Sequence, residues 1–388
     1  RSRVQCVFQS TAQSMTTATR EDSQSNTLLD AQKLLAAGRQ DAAMELLQAA
    51  LTEQPRQEIV HLWLGALLAQ QGRASMAAEH FHMCFSINPE LEKLPSTPNA
   101  PAQMVQSVRQ ALVLLRRHFV RLHLQILAEQ ESVAGKEALQ RVRDCIDIQH
   151  GRKKPVFADE MQRPGAVYLP GIPPQPWFER DEIDGIHQLE KAAGPIREEL
   201  LALLNDDEAD FSPYVREGPG VPAAMQNLAG KTDWNSYHLY KEGERQPEHC
   251  QRCPGTVAAV DLMPMPTCEG NAPEVFFSIL KPGAHIKPHF GVANTKLAVH
   301  LALIIPGDCA LRCGPETRGW SEGKCIIFDD SFEHEAWNRS DSLRAVLILE
   351  TWNPYLSDIE KTALTALCNA ISEWEQPLLE KWLGSAGA

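Results

Sequence analysis

At 388 residues, with 43% apolar and 22% charged side chains, the chain has the composition of an ordinary soluble globular protein and is long enough for two domains. Fifty acidic against 37 basic residues leave a net charge of −13, which argues against a general binder of nucleic acid or anionic membrane. Ten cysteines are too dilute for a disulfide scaffold, and the absence of an apolar run of about 18 residues argues against a membrane span.

Residues 1–24 read as a flexible segment with no convincing signal peptide, so a cytoplasmic location is expected. From about 25 to 95 the chain matches itself at a spacing of 34: Gly38 returns as Gly72, Pro55 as Pro89, Ala31 as Gly65, Ala43 as Ala77, Leu28 as Leu62 and Leu47 as Phe81. Six pairs in one register describe a two-helix unit with small residues where the helices approach, which resembles tetratricopeptide repeats. A free-standing solenoid usually needs about three units. The long helical pattern from Met104 to Gln130, and a further helix before residue 150, are therefore expected to cap the two visible ones, giving a helical domain over 25–150. Arg109, Arg116, Arg117, Arg121 and His123 read as a solvated helix face. Such repeats offer a concave surface to a protein partner.

Residues 151–180 are rich in Pro and Gly and read as an extended linker, followed by one or two helices between Asp181 and Leu204 at the start of a second domain, 181–388. From Asp233 onwards short apolar or alternating runs, WNSYHLY, VFFSIL, KLAVHLALIIP, KCIIFD and LRAVLILETW, are separated by turn residues and read as strands. No glycine-rich phosphate fingerprint joins a strand to a helix, which leaves a barrel or jelly-roll sandwich as the better candidate. Cys250 and Cys253 form CQRC, which reads as half of a zinc site or a redox pair, but no second close thiol pair completes a structural zinc centre and a structural role is the preferred reading.

The stretch HIKPHFG places His285 and His289 four apart, yet Pro288 rules out the helix that would put them on one face. His334 follows a later strand, 45 residues beyond His289, and histidines at adjacent strand ends can converge on one metal. Imidazoles suit Fe, Cu, Ni or Zn. The simple His-x-Asp ligand pattern fails because Gly291 stands two residues after His289, and Asp329, Asp330, Glu333 and Glu335 are all awkward third ligands.

Together, FSILKPGAHIKPHFGVANTKLAVHLALIIP and CGPETRGWSEGKCIIFDDSFEHEAWNRSDSLRAVLILETWNP resemble the catalytic core of the aspartyl/asparaginyl beta-hydroxylase family over roughly residues 165–360. The resemblance implies an α+β protein: a helical repeat domain followed by a double-stranded β-helix, of jelly-roll or cupin-like type, with flanking helices. It implies a dioxygenase using Fe(II), 2-oxoglutarate and O2, with His289 and His334 as iron ligands and glycine in place of the usual acidic ligand. Arg344 then takes the far carboxylate of 2-oxoglutarate, and Ser278 and His300 lie at the cosubstrate. His285 matches no ligand and is assigned a structural role. Asp330 and Asn294 are candidates for substrate orientation or for bracing the site.

The substrate side departs from the family pattern. Ala298 stands where the vertebrate hydroxylase has an arginine, Phe276 or Phe277 falls at a lysine, and an upstream arginine is missing near Ala229. Lys296 and Arg318 are the candidates to compensate for those charges. The expected reaction is therefore hydroxylation of an unactivated carbon, with the beta carbon of an aspartyl or asparaginyl residue as one target. A free amino acid or small carboxylated metabolite is the alternative substrate. A non-catalytic repeat scaffold and a zinc hydrolase are the competing classes.

Overall fold

A computed structural model describes residues 20–218, 221 and 223–384. The segment expected to be flexible, residues 1–24, lies outside the described residues except for the start of the first helix. The chain divides into two compact units: residues up to His123 together with those from Glu373, and Leu124–Ser372. Among the described residues no helix is long and apolar enough to cross a membrane.

The first unit opens with two helical hairpins, α1 (Arg20–Ala36) with α2 (Gln40–Glu53) and α3 (Glu58–Gln70) with α4 (Ala74–Ile87). Gly38 and Gly72, the 34-residue pair, both turn their hairpins with positive φ, 75° and 77°, the left-handed conformation that glycine adopts without a Cβ penalty. The repeat is also visible in the packing. A Cβ on Gly65 would lie 2.6 Å from the Phe81 ring, so the small residue and the large one are a matched pair across α3 and α4. Their equivalents Ala31 and Leu47 are each fully buried, a less extreme division of the same volume.

A short helix α5 (Glu90–Lys93) precedes α6 (Ala102–Ala134), whose Val108, Ala111 and Leu115 join this core. Arg109, Arg116, Arg117 and Arg121 are exposed as expected, whereas His123 is buried, because the α6 stripe places it on the inner face. His61 donates Nε2–H to the Pro55 carbonyl, 2.9 Å away, so its Nδ1 must accept from Nδ1–H of His80, also at 2.9 Å. Burial, with neighbouring positive charges, pulls these imidazoles down to about 4 and about 3.

In the second unit α7 (Gln140–Gln149) leads to β1 (Trp177–Phe178), α8 (Ile186–Lys191), α9 (Ala193–Leu204), β2 (Ser212–Pro213), β3 (Trp234–Lys241), β4 (Glu244–Arg245), α10 (Pro247–Arg252) and α11 (Pro254–Val260). Then follow β5 (Val275–Leu280), β6 (His285–His289), β7 (Lys296–Ile304), β8 (Cys309–Cys313), β9 (Glu316–Arg318), β10 (Cys325–Phe328), β11 (His334–Asn338), β12 (Arg344–Trp352) and α12 (Asp358–Leu383). The larger sheet has the order β1-β10-β7-β12-β5-β3-β2, with β4 on β3; the smaller has β6-β11-β8-β9. Every pairing between these strands is antiparallel among the described residues, and from β5 to β12 the chain passes repeatedly between the sheets. The result is a mixed α+β fold whose β core resembles the cupin and double-stranded β-helix type.

Alternation assigns the two faces of the larger sheet. Val275, Phe277, Ile279, Val299, Leu301, Leu347 and Leu349 pack outward with Ile186, Leu189, Ile196 and Leu200 of α8 and α9. Leu280, Ala302 and Val346 face inward with Ile286, Leu311 and Ala336 of the smaller sheet. The Pro- and Gly-rich segment before Trp177 follows this core closely. Gly165 N–H donates to the Gly291 carbonyl at 2.9 Å, and β1 pairs with β10. In CQRC burial pushes Cys253 up to about 12 and raises Cys250, so both favour the unreactive protonated form.

Candidate functional site

Strict alternation along β6 would put His285, Lys287 and His289 on one face. The pairing with β11 breaks that alternation. His289 stands opposite His334 and Ile286 opposite Ala336, so three steps on β6 match two on β11. This is a β-bulge at Lys287 and Pro288, a place where proline's missing N–H costs no ladder bond. It re-aims His289 to the inner face shared by Ile286. His285 stays outside, where its Nε2 meets Glu335 Oε2 at 2.7 Å and Glu335 in turn receives Arg312 at 2.6 Å. The structural reading of His285 follows from that geometry.

The His289 and His334 rings lie 4.0 Å apart between centroids. His289 Nδ1 is 2.7 Å from the Lys287 carbonyl and His334 Nδ1 is 2.9 Å from the Phe332 carbonyl. A carbonyl only accepts, so each Nδ1 carries the proton and each Nε2 carries the lone pair, the tautomer that binds a divalent metal. Burial keeps both rings neutral: it lowers His289, and with His289 beside it brings His334 down to about 3. Among the described residues no group of three or more His, Cys, Asp and Glu is arranged to hold a metal. The pair stands without a carboxylate ligand, and Gly291 shows the local reason: a Cβ there would lie 2.3 Å from the Asp330 carboxyl. Asp330 fills the space into which a third ligand's side chain would start.

The histidines open on a cleft of about 680 Å³ that also contains Ser278, His300, Asp330 and Arg344. Arg344 is 1% exposed, yet its Nε and Nη1 have no hydrogen-bond partner among the described residues. Burial pulls it down to about 10. A buried, unpaired guanidinium is costly unless an anion meets it. Its carbon lies 5.0 Å from the centre of the Trp320 ring, which also makes a near-parallel stack with His300 at 6.1 Å. Nδ1 of His300 is buried with no hydrogen-bond partner among the described residues, and burial, reinforced by Arg344, keeps the ring neutral. Ser278, fully buried, accepts from Trp234 Nε1 at 2.9 Å and still has its own O–H to donate.

Asn294 is placed elsewhere. Its buried amide accepts from Leu169 N–H at 2.8 Å and donates to the Leu169 carbonyl at 2.9 Å, tying the preceding segment to the turn before β7. Asp329 turns inward to Gln162 and Ser331, and Glu333 and Glu335 bind Arg312, so Asp330 is the carboxylate of that group that reaches the cleft. Burial pushes Asp330 up to about 7, with Lys296 opposing and Asp329 adding to the rise. Lys296 also lines the cleft, but Glu350 Oε1 is hydrogen-bonded to its ammonium. Arg318 does not line it: it pairs with Glu316 and Glu179 and lies over Trp177. Sequence reasoning missed Trp320, Trp234 and Glu350. The last was accessible, since Arg344, Val346, Ile348 and Glu350 alternate onto one face of β12.

Residues 190–354 match the family model described as aspartyl/asparaginyl beta-hydroxylase. Over these residues the chain is similar to that family. The chain is 34% identical over 223 residues to the human aspartyl/asparaginyl beta-hydroxylase, a match covering 56% of this chain and 28% of the relative. It is 31% identical over 212 residues to the human aspartate beta-hydroxylase domain-containing protein 2, covering 53% of this chain and 54% of that protein. The chain thus spans well under two thirds of either relative's length. A cupin 2 conserved barrel domain protein from Salinispora arenicola aligns with 34% of this chain and 83% of its own at 13% identity and a TM-score of 0.21. That likeness is too low to bear on the fold, which rests on the strand pairing.

Proposed function

We propose that this chain is an Fe(II)- and 2-oxoglutarate-dependent dioxygenase that hydroxylates an unactivated carbon, with tetratricopeptide-like repeats ahead of a double-stranded β-helix. One observation carries the reading. Two neutral imidazoles with Nδ1 tied to carbonyls share a cleft with a buried guanidinium that has two unpartnered N–H positions. The donor set suits ferrous iron, and the unpaired cation suits a dicarboxylate bound to that iron.

His289 and His334 would hold the metal through Nε2, with no side chain from Gly291 completing the set. Arg344 would take the far carboxylate of 2-oxoglutarate in a bidentate fork, a geometry lysine cannot reproduce. Trp320 covers the guanidinium face, and its burial keeps water from competing for that ion pair. Ser278 is positioned to donate its hydroxyl proton to the same carboxylate, while neutral His300 brings an imidazole without adding charge. Asp330 faces the position that a third ligand would occupy and can orient a water or a substrate group there. When bound, the iron and the 2-oxo acid supply the oxidising chemistry, with O2 consumed and succinate and carbon dioxide released.

The test is an aerobic screen of peptides and amino acids for succinate release together with a mass gain of one oxygen atom in the added molecule. The parent is expected to show both with at least one substrate, and His334→Ala neither. No succinate from the Fe(II)-loaded parent would favour the repeat-scaffold reading.

A further inference from the structure

The interior of the larger sheet is polarised along β12. Arg344 and Glu350 share its inner face, six residues and about 20 Å apart. Between them Ile348 pairs with His300 on β7 and Phe276 on β5, at the middle of the cleft. At the Arg344 end the side chains are a guanidinium, Ser278 and two tryptophans, Trp234 and Trp320. The opposite end carries Glu350, Glu274 and Asp330, with the partly buried Lys296 as their counter-ion.

That ammonium is already engaged. Glu350 Oε1 bonds Lys296, while its other oxygen receives Glu274 N–H at 3.3 Å. Glu274 Oε2 lies 3.3 Å from His238 Nε2, and its Oε1 accepts from Glu242 N–H at 2.6 Å, which fixes the carboxylate at the edge of the cleft. Oδ1 of Asp330 is buried with no partner among the described residues. The other cations of the lining are less enclosed: Arg216 is exposed and Lys241 half-buried, next to Glu242. One wall is aromatic. Tyr214 stacks on Trp234 at 4.1 Å and on Phe276 at 5.0 Å, and Phe276 stacks on His238 at 4.9 Å. Ala298 completes the surface with no charge. Carboxylates in excess of ammonium beside π faces attract a cation and repel an acidic side chain.

We propose that the substrate carries a guanidinium or ammonium group, as a basic amino-acid residue does, and that this charge is held among Glu350, Glu274 and Asp330 against the Tyr214–Phe276 wall. The proposal rests on the dioxygenase reading, which assigns the Arg344 end to the cosubstrate and leaves the carboxylate end to the substrate. It places the acidic residue of a typical aspartyl substrate on the wrong side of the electrostatic balance.

The experiment is calorimetric binding to the full chain, with and without Mn(II) and 2-oxoglutarate under anaerobic conditions. The probes are the N-acetyl methylamides of L-arginine, L-citrulline and L-aspartate. The arginyl probe is expected to bind about tenfold or more tightly than its neutral citrulline isostere, with the aspartyl probe weakest. Glu274→Gln should weaken the arginyl probe by about tenfold. Glu350→Gln should do the same and, by unpairing Lys296, strengthen the aspartyl probe; circular dichroism checks that both variants are folded. Aspartyl binding that equals or exceeds arginyl binding in the parent, or no arginyl binding in either form, overturns the proposal. Metal and 2-oxoglutarate affinities from the same samples judge the dioxygenase reading separately, because arginyl selectivity without metal binding would sink only that reading.

Discussion

Gly291→Ala is the smallest perturbation that tests how the ligand pair is built. The added Cβ would sit 2.3–2.4 Å from three atoms of the Asp330 carboxyl. Ordinary contact at about 3.5 Å requires that group to retreat by about 1 Å, and its Oδ1 is buried on a side chain with few torsions to spare. Overpacking of this kind costs roughly 1–3 kcal/mol, and a unit of this size loses about 2–4 °C of Tm per kcal/mol. The assay is calorimetric unfolding of the parent, Gly291→Ala, Asp330→Ala and the double variant. Because Asp330→Ala removes the obstruction, the double variant should recover most of the loss, a coupling of about 1–3 kcal/mol. Additive effects, or a Gly291→Ala protein with parental Tm, would refute the steric explanation. The same clash predicts that Gly291→Asp alone fails to install a working third ligand.

Deleting Lys287 puts Ile286 and His289 two residues apart in a regular strand, so His289 should stay on the inner face and one equivalent of metal should still bind, whereas His289→Ala abolishes binding; metal titration of a deletion variant that had lost the site while remaining folded would show that register alone does not aim the ring. Arg344→Lys should lower 2-oxoglutarate affinity about 10–100-fold in anaerobic calorimetry while leaving metal binding intact, since a point charge replaces a planar fork. Acid should destabilise the helical unit. His61, His80 and His82 are lowered by burial from 6.5 to about 4, about 3 and about 4, so the unfolded chain binds more protons between those values. Their contribution is complete above pH 6.5 and is lost as pH falls toward 4; thermal unfolding from pH 7.5 to 4.5 checks it, and a flat profile, or one that His82→Phe leaves unchanged, would contradict it.

The helical hairpins were legible because a 34-residue repeat fixes both the turn glycines and the facing pair Gly65 and Phe81. The larger sheet was legible too, since β5, β7, β10 and β12 are largely apolar, largely buried runs and β3 mixes aromatic with polar residues in a strand-like pattern. The smaller sheet was not: β8 and β9 are short and carry Arg312 and Arg318, and nothing in CALRC or ETR distinguishes a strand from a loop. In the cleft, family resemblance supplied the positions of His289, His334 and Arg344, while residue spacing alone left His285 and His289 equivalent. Their separation depends on the bulge, a register fact that appears only when β6 meets β11. The state of Lys296 was equally hidden, because its partner Glu350 lies 54 residues away on a neighbouring strand.

Anaerobic titration of the parent, His289→Ala and His334→Ala with Fe(II), followed by 2-oxoglutarate, reaches the central claim most directly. The parent should bind one equivalent of metal and then develop the metal-to-ligand charge-transfer absorption of a chelated 2-oxo acid, and each alanine variant should lose both signals while remaining folded. Undiminished metal binding and absorption in either variant would contradict the two-histidine site.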